Sequence, residues 1–142
     1  MILVVDASVA TKWFFVESGD QLARELAEGK DVLIAPDLIV AEVCNTAWKK
    51  VSRAEASADQ ARAVTIALPK IFRELVSCAA LVPRALDLAL EMGHPAYDCF
   101  YLALAELANA DLATADTNLA RKVLRTGFPR NRIRLIGELS PR

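Results

Sequence analysis

The chain has 142 residues and a net charge of −1, and 54% of its residues are hydrophobic. This length predicts a single domain over residues 1–142, and the apolar content excludes an intrinsically disordered chain. The longest stretch without Asp, Glu, Lys or Arg, residues 75–83, is too short to cross a membrane. Since no basic residue precedes the apolar run Ile2–Val5, we expect no signal peptide and a cytoplasmic protein.

The charge is unevenly distributed, because residues 117–142 hold seven basic residues and a single acidic one, Glu138. This segment predicts either a surface for phosphate groups or an ordinary solvated helix and terminus. The three cysteines form no CxxC pair and have apolar neighbours, which predicts buried free thiols. With only one histidine, His94, a zinc site is not expected.

Short β-type runs alternate with helical patterns in the first half of the chain. The predicted elements, in order, are a strand over Ile2–Val5, helices over Val9–Phe15 and Asp20–Glu28, a strand over Val32–Ala35, a helix from Pro36 and a helix over Glu55–Leu68. Ser8 is the expected N-cap of the first helix. The helix that begins at Pro36 has an apolar stripe that includes Cys44 and Trp48, and we expect this stripe to be buried.

The same alternation continues in the second half. The predicted elements are a weak strand over Leu75–Cys78, a helix over Pro83–Glu91, a helix from Pro95 to Ala108, a strand over Leu112–Ala115, a helix over Thr117–Thr126 and a strand over Ile133–Ile136. The helix from Pro95 is apolar nearly all round, which predicts a central, buried position. The whole pattern predicts an α/β fold of three layers, α/β/α, around a mostly parallel sheet of about five strands. In such sheets, ligands bind beyond the carboxyl ends of the strands.

Acidic residues follow two of these strands. Asp6 comes after the first strand and Asp116 after Leu112–Ala115, so both are expected at the same edge of the sheet, although each could simply cap the next helix. Asp98 lies in the first turn of the buried helix, where the helix dipole favours a carboxylate. Glu42 lies opposite an apolar stripe, as a solvated glutamate would, and Asn45 follows one turn later and could hydrogen-bond to it.

The four carboxylates together predict more than each does alone. If they meet at one edge of the sheet, they repel one another and raise one another's pKa values. A hard divalent cation, Mg²⁺ or Mn²⁺, would balance that charge, because carboxylate oxygens are its preferred ligands. Such a site can activate a water molecule and offset the charge that develops during phosphodiester cleavage.

Four segments of the chain resemble, in order, the motifs of the PIN domain, and in particular the toxin nucleases of VapBC toxin–antitoxin pairs. They are Val4–Val9 around Asp6, Pro36–Asn45 around Glu42, Gly93–Ala105 around Asp98, and Leu112–Asp116. The resemblance implies a PIN-like three-layer fold. It also implies an Mg²⁺- or Mn²⁺-dependent endoribonuclease that hydrolyses RNA phosphodiester bonds, together with a homodimer and a cognate antitoxin.

The resemblance also implies roles for individual residues. Asp6, Glu42 and Asp98 would carry the metal directly or through water, and Asp116 would complete the pocket by binding a second metal or orienting water. The polar positions of the family are matched by Ser8, Asn45 and Thr114. Asn118 stands where many relatives carry an acidic residue, and this departure puts the second metal in doubt.

Several other residues have a simple structural interpretation. We interpret Lys12 as a solvated lysine and His94 as a turn residue without a catalytic role. Arg121, Lys122 and Arg125 follow Asp116 on the next helix, and our hypothesis is that they contact RNA phosphates without reading the base sequence. The helices between Pro36 and Leu68 predict a projecting pair for a second subunit or the antitoxin. Its apolar surface would include Val64, Ile66, Leu68, Ile71 and Phe72.

Two other functions stay open. A phosphatase-like phosphoryl-transfer enzyme of the dehalogenase type would need an aspartate two residues after the first, where this chain has Ser8. A catalytically inactive PIN-fold binding module is the other alternative, and the presence of all four acidic residues argues against it. The RNA target and the number of metal ions do not follow from the sequence.

Overall fold

The computed structural model describes residues 1–126 and 132–136. Its strands are β1 (Ile2–Val5), β2 (Val32–Pro36), β3 (Glu74–Val76), β4 (Asp111–Thr114) and β5 (Ile133–Leu135). Its helices are α1 (Ala7–Ala10), α2 (Asp20–Glu28), α3 (Leu38–Ser52), α4 (Ala58–Ile71), α5 (Cys78–Met92), α6 (Ala96–Ala108) and α7 (Thr117–Thr126), and a 3₁₀ turn over Thr11–Trp13 follows α1. None of the helices in these two ranges is long and apolar enough to span a membrane.

The five strands form one sheet in the order β3-β2-β1-β4-β5, and every neighbouring pair is parallel. The chain therefore builds the sheet outward from β1 in one direction and then returns to add β4 on the other side. The order reverses between β1 and β4, which makes the carboxyl ends of these two strands the expected binding crevice. The predicted parallel sheet of about five strands is confirmed.

The helices cover the sheet in two layers, and each layer comes from one half of the chain. In the first half, α1 contacts β4, α3 contacts β2, and α4 packs on α3. In the second half, α6 contacts β1, β2 and β4, while α5 packs on α6 and α7 packs on α5 and β5. Because crossovers between parallel strands are right-handed, the helices before the reversal of strand order lie on one face of the sheet and those after it lie on the other. The three-layer α/β/α prediction is confirmed.

The core lies where the central strands meet α6. Residues 3–5 of β1 are fully buried, as are Leu112 and Ala113 of β4, because both strands have neighbours on each side and helices on each face. Helix α6 buries six of its residues, including Leu102. The predicted central position of this apolar helix is confirmed, and it brings the Asp98 region against the sheet.

Helix α5 is longer than its sequence pattern indicated. The strand predicted over Leu75–Cys78 is β3, which ends at Val76, and α5 begins at Cys78. The helix begins there because the Ser77 hydroxyl accepts a hydrogen bond from Ala79 N and caps the first turn. Pro83 lies inside this helix rather than at its start. Proline suits the first turn of a helix, so the prediction began the helix one and a half turns late.

The stripe predicted to be buried on α3 is partly wrong. The buried residues of helix α3 are Ile39, Val43 and Ala47. Within the predicted stripe, Cys44 is exposed and Trp48 is 62% exposed. Cys44 and Trp48 line a groove between α3 and α4 that opens to solvent. The i, i+4 spacing of apolar residues could not show that α4 covers only part of this face.

The surface predicted for a partner on α4 is also largely wrong. Val64, Leu68 and Phe72 are buried in the core, and Ile66 is 64% exposed. Phe72 packs on Trp13, with ring centroids 5.6 Å apart, so this part of the predicted partner surface is packed inside the protein.

Candidate active site

Asp6 lies at the carboxyl end of β1, beside the end of β4. Ser8 Oγ donates to its Oδ1 at 2.5 Å, and Thr114 Oγ1 donates to its Oδ2 at 2.5 Å. The two hydroxyls in turn accept the backbone N–H groups of Ala115 and Asp116, at 2.8 and 3.0 Å. This network fixes both oxygens of the carboxylate and joins the ends of the two central strands.

Asp6 also caps α1, because its Oδ1 accepts the N–H of Val9 at 3.2 Å. The prediction that Ser8 is the N-cap is therefore wrong, since the helix begins one residue earlier and Ser8 lies inside it. The aspartate side chain reaches the same free N–H group of the first turn and removes the need for a serine cap. The capping alternative weighed for Asp6 is correct, but the cap accounts for only one of its hydrogen bonds.

The buried position of Asp6 changes its acidity. Desolvation raises the pKa of Asp6 to about 7, against the lowering effect of the hydrogen bonds from Ser8, Thr114 and Val9. The negative charge of Asp98 adds a smaller upward contribution. The carboxylate is held at a place where a positive charge would stabilise it.

Glu42 lies on α3 and faces the buried hydroxyl of Tyr101 on α6. Tyr101 donates to Glu42 Oε1 at 2.6 Å, so the hydrogen bond expected from Asn45 comes from Tyr101. Burial raises the pKa of Glu42, the tyrosine bond acts against this, and the charge of Asp98 adds to it. Burial and the charges of Glu42, Asp6 and Asp98 raise the pKa of Tyr101, which keeps this side chain protonated as a donor.

Three of the four predicted carboxylates therefore form one electrostatic cluster. The charge of Asp98 raises the pKa of both Asp6 and Glu42, and all three charges act on Tyr101. Asp98 Oδ2 lies 2.7 Å from Nε2 of His94, one turn earlier in the chain. We call Asp6, Glu42 and Asp98 the acidic cluster.

The fourth carboxylate, Asp116, serves the next helix. Its Oδ1 accepts the N–H groups of Asn118 and Leu119, at 2.9 and 3.1 Å, which is the geometry of an N-cap for α7. The exposed Asn118 side chain accepts a 3.3 Å hydrogen bond from Arg121. Asp116 is linked to Asp6 through its backbone N–H and Thr114.

The donor atoms of the acidic cluster suit a hard divalent cation. All of them are carboxylate oxygens, and the mutual repulsion of the three charges is the cost that such an ion removes. Within the described ranges, however, no three His, Cys, Asp or Glu side chains are already arranged to hold a metal ion. The cluster fits a cation in chemistry, and its side chains would have to draw together around it.

A groove of about 520 Å³ opens beside the cluster. Its lining includes Ser8, Glu42, Asn45, Thr46 and Lys49. The last four lie on one side of α3 at spacings of three and four residues, and this polar stripe is the signal that could have found Thr46 and Lys49 from the sequence.

Lys12 lines the same groove but is not the solvated lysine that we predicted. Its side chain is 12% exposed, and its ammonium group donates to Ser18 O at 2.5 Å and lies 3.5 Å from Glu17. Lysine buries its methylene stem readily when its charge has such partners. Lys12 therefore ties down the loop that follows α1.

The basic residues of α7 line a second cavity, of about 330 Å³, between α7 and the turn before α6. Its lining comprises His94, Pro95, Asn118, Arg121, Lys122 and Arg125. Lys122 donates to the carbonyl oxygen of Gly93 at 2.8 Å, which closes one wall of the cavity. The three predicted basic residues are thus on one wall, next to the histidine that contacts Asp98.

Two other basic residues of the C-terminal segment have local roles. Arg132 and Arg134 both donate to Asp111, at 2.9 and 3.0 Å, and hold β5 against β4. Burial alone would raise the pKa of Asp111, but these hydrogen bonds outweigh it and the pKa is lowered. Arg130 and Arg142 lie outside the described residues.

Comparison with known proteins agrees with the fold and with the resemblance to the PIN domain. Residues 3–123 match the family model of the PIN domain. The chain is 35% identical over 124 residues to Ribonuclease VapC3 of Pyrobaculum aerophilum, an alignment that covers 86% of this chain and 95% of that protein.

Two solved structures share the fold. The crystal structure of PAE2754 from Pyrobaculum aerophilum superposes with a TM-score of 0.65 and 23% identity, and the match covers 86% of this chain and 79% of that one. VapBC2 from Rickettsia felis, crystallised with a DNA fragment from its promoter, gives a TM-score of 0.60 and 13% identity over 85% of this chain and 92% of that one. The chain belongs to the PIN-domain family, and within it to the VapC proteins.

Proposed function

We propose that the chain is a divalent-metal-dependent endoribonuclease and the toxin component of a type II toxin–antitoxin system. Its 35% identity to a protein named as a VapC ribonuclease supports this activity. The observation that carries the proposal is the acidic cluster at the switch point of the sheet, with the buried Asp6 carboxylate held between Ser8 and Thr114.

Asp6, Glu42 and Asp98 would hold Mg²⁺ or Mn²⁺, directly or through water. The bound ion would activate a water molecule and offset the charge that develops on the phosphate during cleavage. Asp116 is the fourth carboxylate of the proposal; because its Oδ1 caps α7, its contribution would come from Oδ2.

The neighbouring side chains orient this cluster. Ser8 and Thr114 leave the Asp6 carboxylate little freedom to rotate, and Tyr101 fixes one oxygen of Glu42. Support of this kind limits how much freedom each carboxylate loses when an ion or substrate binds. Asn45 and Lys49, beside Glu42, offer an amide and a positive charge to an RNA strand in the groove.

The activity can be tested with a mixed RNA substrate. We expect cleavage with Mg²⁺ or Mn²⁺, no cleavage with EDTA, and a loss of at least 100-fold in rate for Asp6→Asn, which keeps the size of the side chain but removes its charge. Asp59→Asn, a 96% exposed aspartate on α4, is the matched control and should cleave like the wild type.

The possible outcomes separate the alternatives. Cleavage that persists in EDTA and in Asp6→Asn would refute the metal mechanism, and RNA binding without cleavage would favour an inactive binding module. Release of phosphate from monoesters, with intact RNA, would favour a phosphatase. If cleavage is found, sequencing the RNA ends identifies the target.

We further propose that Arg121, Lys122 and Arg125 contact RNA phosphates in the cavity beside His94. Arg121→Glu with Arg125→Glu, made in the inactive Asp6→Asn protein, should weaken RNA binding about tenfold or more and reduce the slope of log affinity against log salt by about one to two. The matched control is Arg62→Glu on α4, which is 74% exposed and lies on another element. Equal affinities and slopes in the two variants would disprove the phosphate contacts.

A homodimer and a cognate antitoxin are the proposed protein partners. The groove between α3 and α4 supports a partner surface, because it is mostly apolar and Trp48 on its rim is 62% exposed. Light scattering at micromolar concentration should give a dimer, and a monomer would contradict that part. Co-purification with the product of a small neighbouring gene, together with loss of RNA cleavage, would support the antitoxin.

A further inference from the structure

His94 makes a close contact with one of the three carboxylates of the acidic cluster. Its Nε2 lies 2.7 Å from Asp98 Oδ2, and the histidine side chain is only 8% exposed. A carboxylate oxygen accepts hydrogen bonds. The Nε2–H group of His94 is therefore the donor of this bond, and Asp98 Oδ2 is the acceptor. The histidine side of the bond is therefore sheltered from water, the Asp98 side chain is 30% exposed, and the bond is directed at a single oxygen.

The turn that carries His94 is fixed by three helices. Gly93 ends α5 in the left-handed region, with a φ of 61°, and the His94 N–H donates to Ala89 O in the last turn of that helix. Lys122 of α7 donates to the Gly93 carbonyl at 2.8 Å, and Pro95 begins α6 with a restricted φ of −55°. The imidazole ring is therefore held on a rigid backbone rather than on a mobile loop.

The other nitrogen of the ring argues against a simple packing role. Nδ1 of His94 is buried and has no hydrogen-bond partner in the described part of the chain. An unsatisfied buried polar atom destabilises a fold, and an apolar side chain of similar size would avoid that cost. The hydrogen bond to Asp98 is what the histidine provides and an apolar residue could not.

We infer that His94 is a positioning residue for the metal site: it holds Asp98 in the orientation from which the carboxylate reaches the cation. The inference rests on the proposed function, because it assigns His94 a role toward the same metal. Its physical basis is that a partner bound behind a metal-ligating side chain fixes the direction of that side chain, and losing such a partner typically weakens metal binding 10- to 100-fold.

The test is the affinity of the purified protein for Mn²⁺, measured by electron paramagnetic resonance of the free ion. We expect His94→Leu to bind Mn²⁺ 10- to 100-fold more weakly than the wild type. His94→Gln, whose side-chain N–H reaches about as far as Nε2, should recover affinity to within about threefold, and His94→Asn, one carbon shorter, should not. Tyr97→Leu, a 66% exposed position in the first turn of α6, is the control and should bind normally.

The outcomes separate this inference from the proposed function. If Asp98→Asn loses Mn²⁺ binding while a folded His94→Leu binds like the wild type, the positioning role is overturned and the metal site stands. If the wild type and Asp98→Asn bind Mn²⁺ equally, both fail. Should His94→Leu not fold, the comparison of His94→Gln with His94→Asn decides, and equal affinities for these two overturn the role.

Discussion

At the scale of single residues, Asp6 combines a structural and a chemical role. It caps α1 through Val9 and is hydrogen-bonded by Ser8 and Thr114, so its backbone and both its carboxylate oxygens are committed to the junction of β1 and β4. The same burial that orders this side chain makes its negative charge costly. Under the proposed function, a bound cation would offset the cost of this buried charge.

Asp6→Asn should stabilise the metal-free protein at high pH. The pKa of Asp6 rises from 3.8 in a free aspartate to about 7 in the fold, so the folded state binds more protons than the unfolded chain between these values. Stability therefore falls as the pH rises through this window, and the asparagine variant avoids the loss. We expect a gain of about 2–4 kcal/mol at pH 8 and little gain at pH 4.

The measurement is urea unfolding of both proteins in EDTA across this pH range. Asp116→Asn is the control, because asparagine caps a helix as well as aspartate does, and its stability should stay within about 0.5 kcal/mol of the wild type at each pH. An Asp6→Asn protein that is equally destabilised at pH 4 and pH 8 would show that the hydrogen bonds of Asp6, and not its buried charge, dominate.

At the scale of elements, α6 connects the core to the site. One side of the helix packs on β1, β2 and β4, and its first two turns present Asp98 and Tyr101 to the acidic cluster. These two residues are three positions apart and therefore lie on neighbouring parts of the helix surface. The position of the helix on the sheet thus determines the positions of both groups.

Leu102 and Leu107 of α6 give a matched pair for testing that packing. Leu102 is fully buried, whereas Leu107 is 69% exposed. Leu102→Ala should lower the free energy of unfolding by about 2–5 kcal/mol, because it leaves a cavity against the sheet, and Leu107→Ala should change it by less than about 0.5 kcal/mol. Thermal or urea unfolding measures both values. Similar losses of unfolding free energy in the two variants would mean that the face of α6 that carries Leu102 does not pack on the sheet.

The sequence predicted the elements better than it predicted their surroundings. Strands and buried helices follow from local apolar patterns, and the parallel sheet follows from their alternation, so the ends of β1 and β4 could be placed together. Partners that belong to other elements could not be predicted: Tyr101 donates to Glu42 across 59 residues of sequence, and Trp48 is exposed because of where α4 lies. His94 was interpreted as a turn residue because only the folded α5–α6 turn brings its ring to Asp98.

At the scale of the whole molecule, the fold without metal holds three charges that repel one another. Asp98 raises the pKa of both Asp6 and Glu42, and the three hydrogen-bond partners of the Asp6 side chain come from α1 and β4. A cation bound only by the folded state therefore contributes directly to the stability of the whole chain. Protons compete with that cation for the same oxygens.

Mn²⁺ should raise the melting temperature of the wild type more at pH 8 than at pH 6. Because the pKa of Asp6 is about 7, this carboxylate loses affinity for the ion as the pH falls through this range. At 100 times the dissociation constant the gain is about 2.7 kcal/mol. Differential scanning fluorimetry measures the shift, and Asp6→Asn at equal ionic strength is the control. A shift that is the same at both pH values would contradict proton competition at Asp6.

The bond between Thr114 and Asp6 joins residues 108 positions apart, and β4 follows the first three strands and the helices α1 to α6 in the chain. A ribosome that is translating this chain therefore produces Asp6 108 residues before the hydroxyl that holds it. Until then, the nascent polypeptide has carboxylates without the strand that organises them. If the assembled cluster is what degrades RNA, the nascent chain lacks the complete site, and cannot degrade its own messenger, until Thr114 has been made.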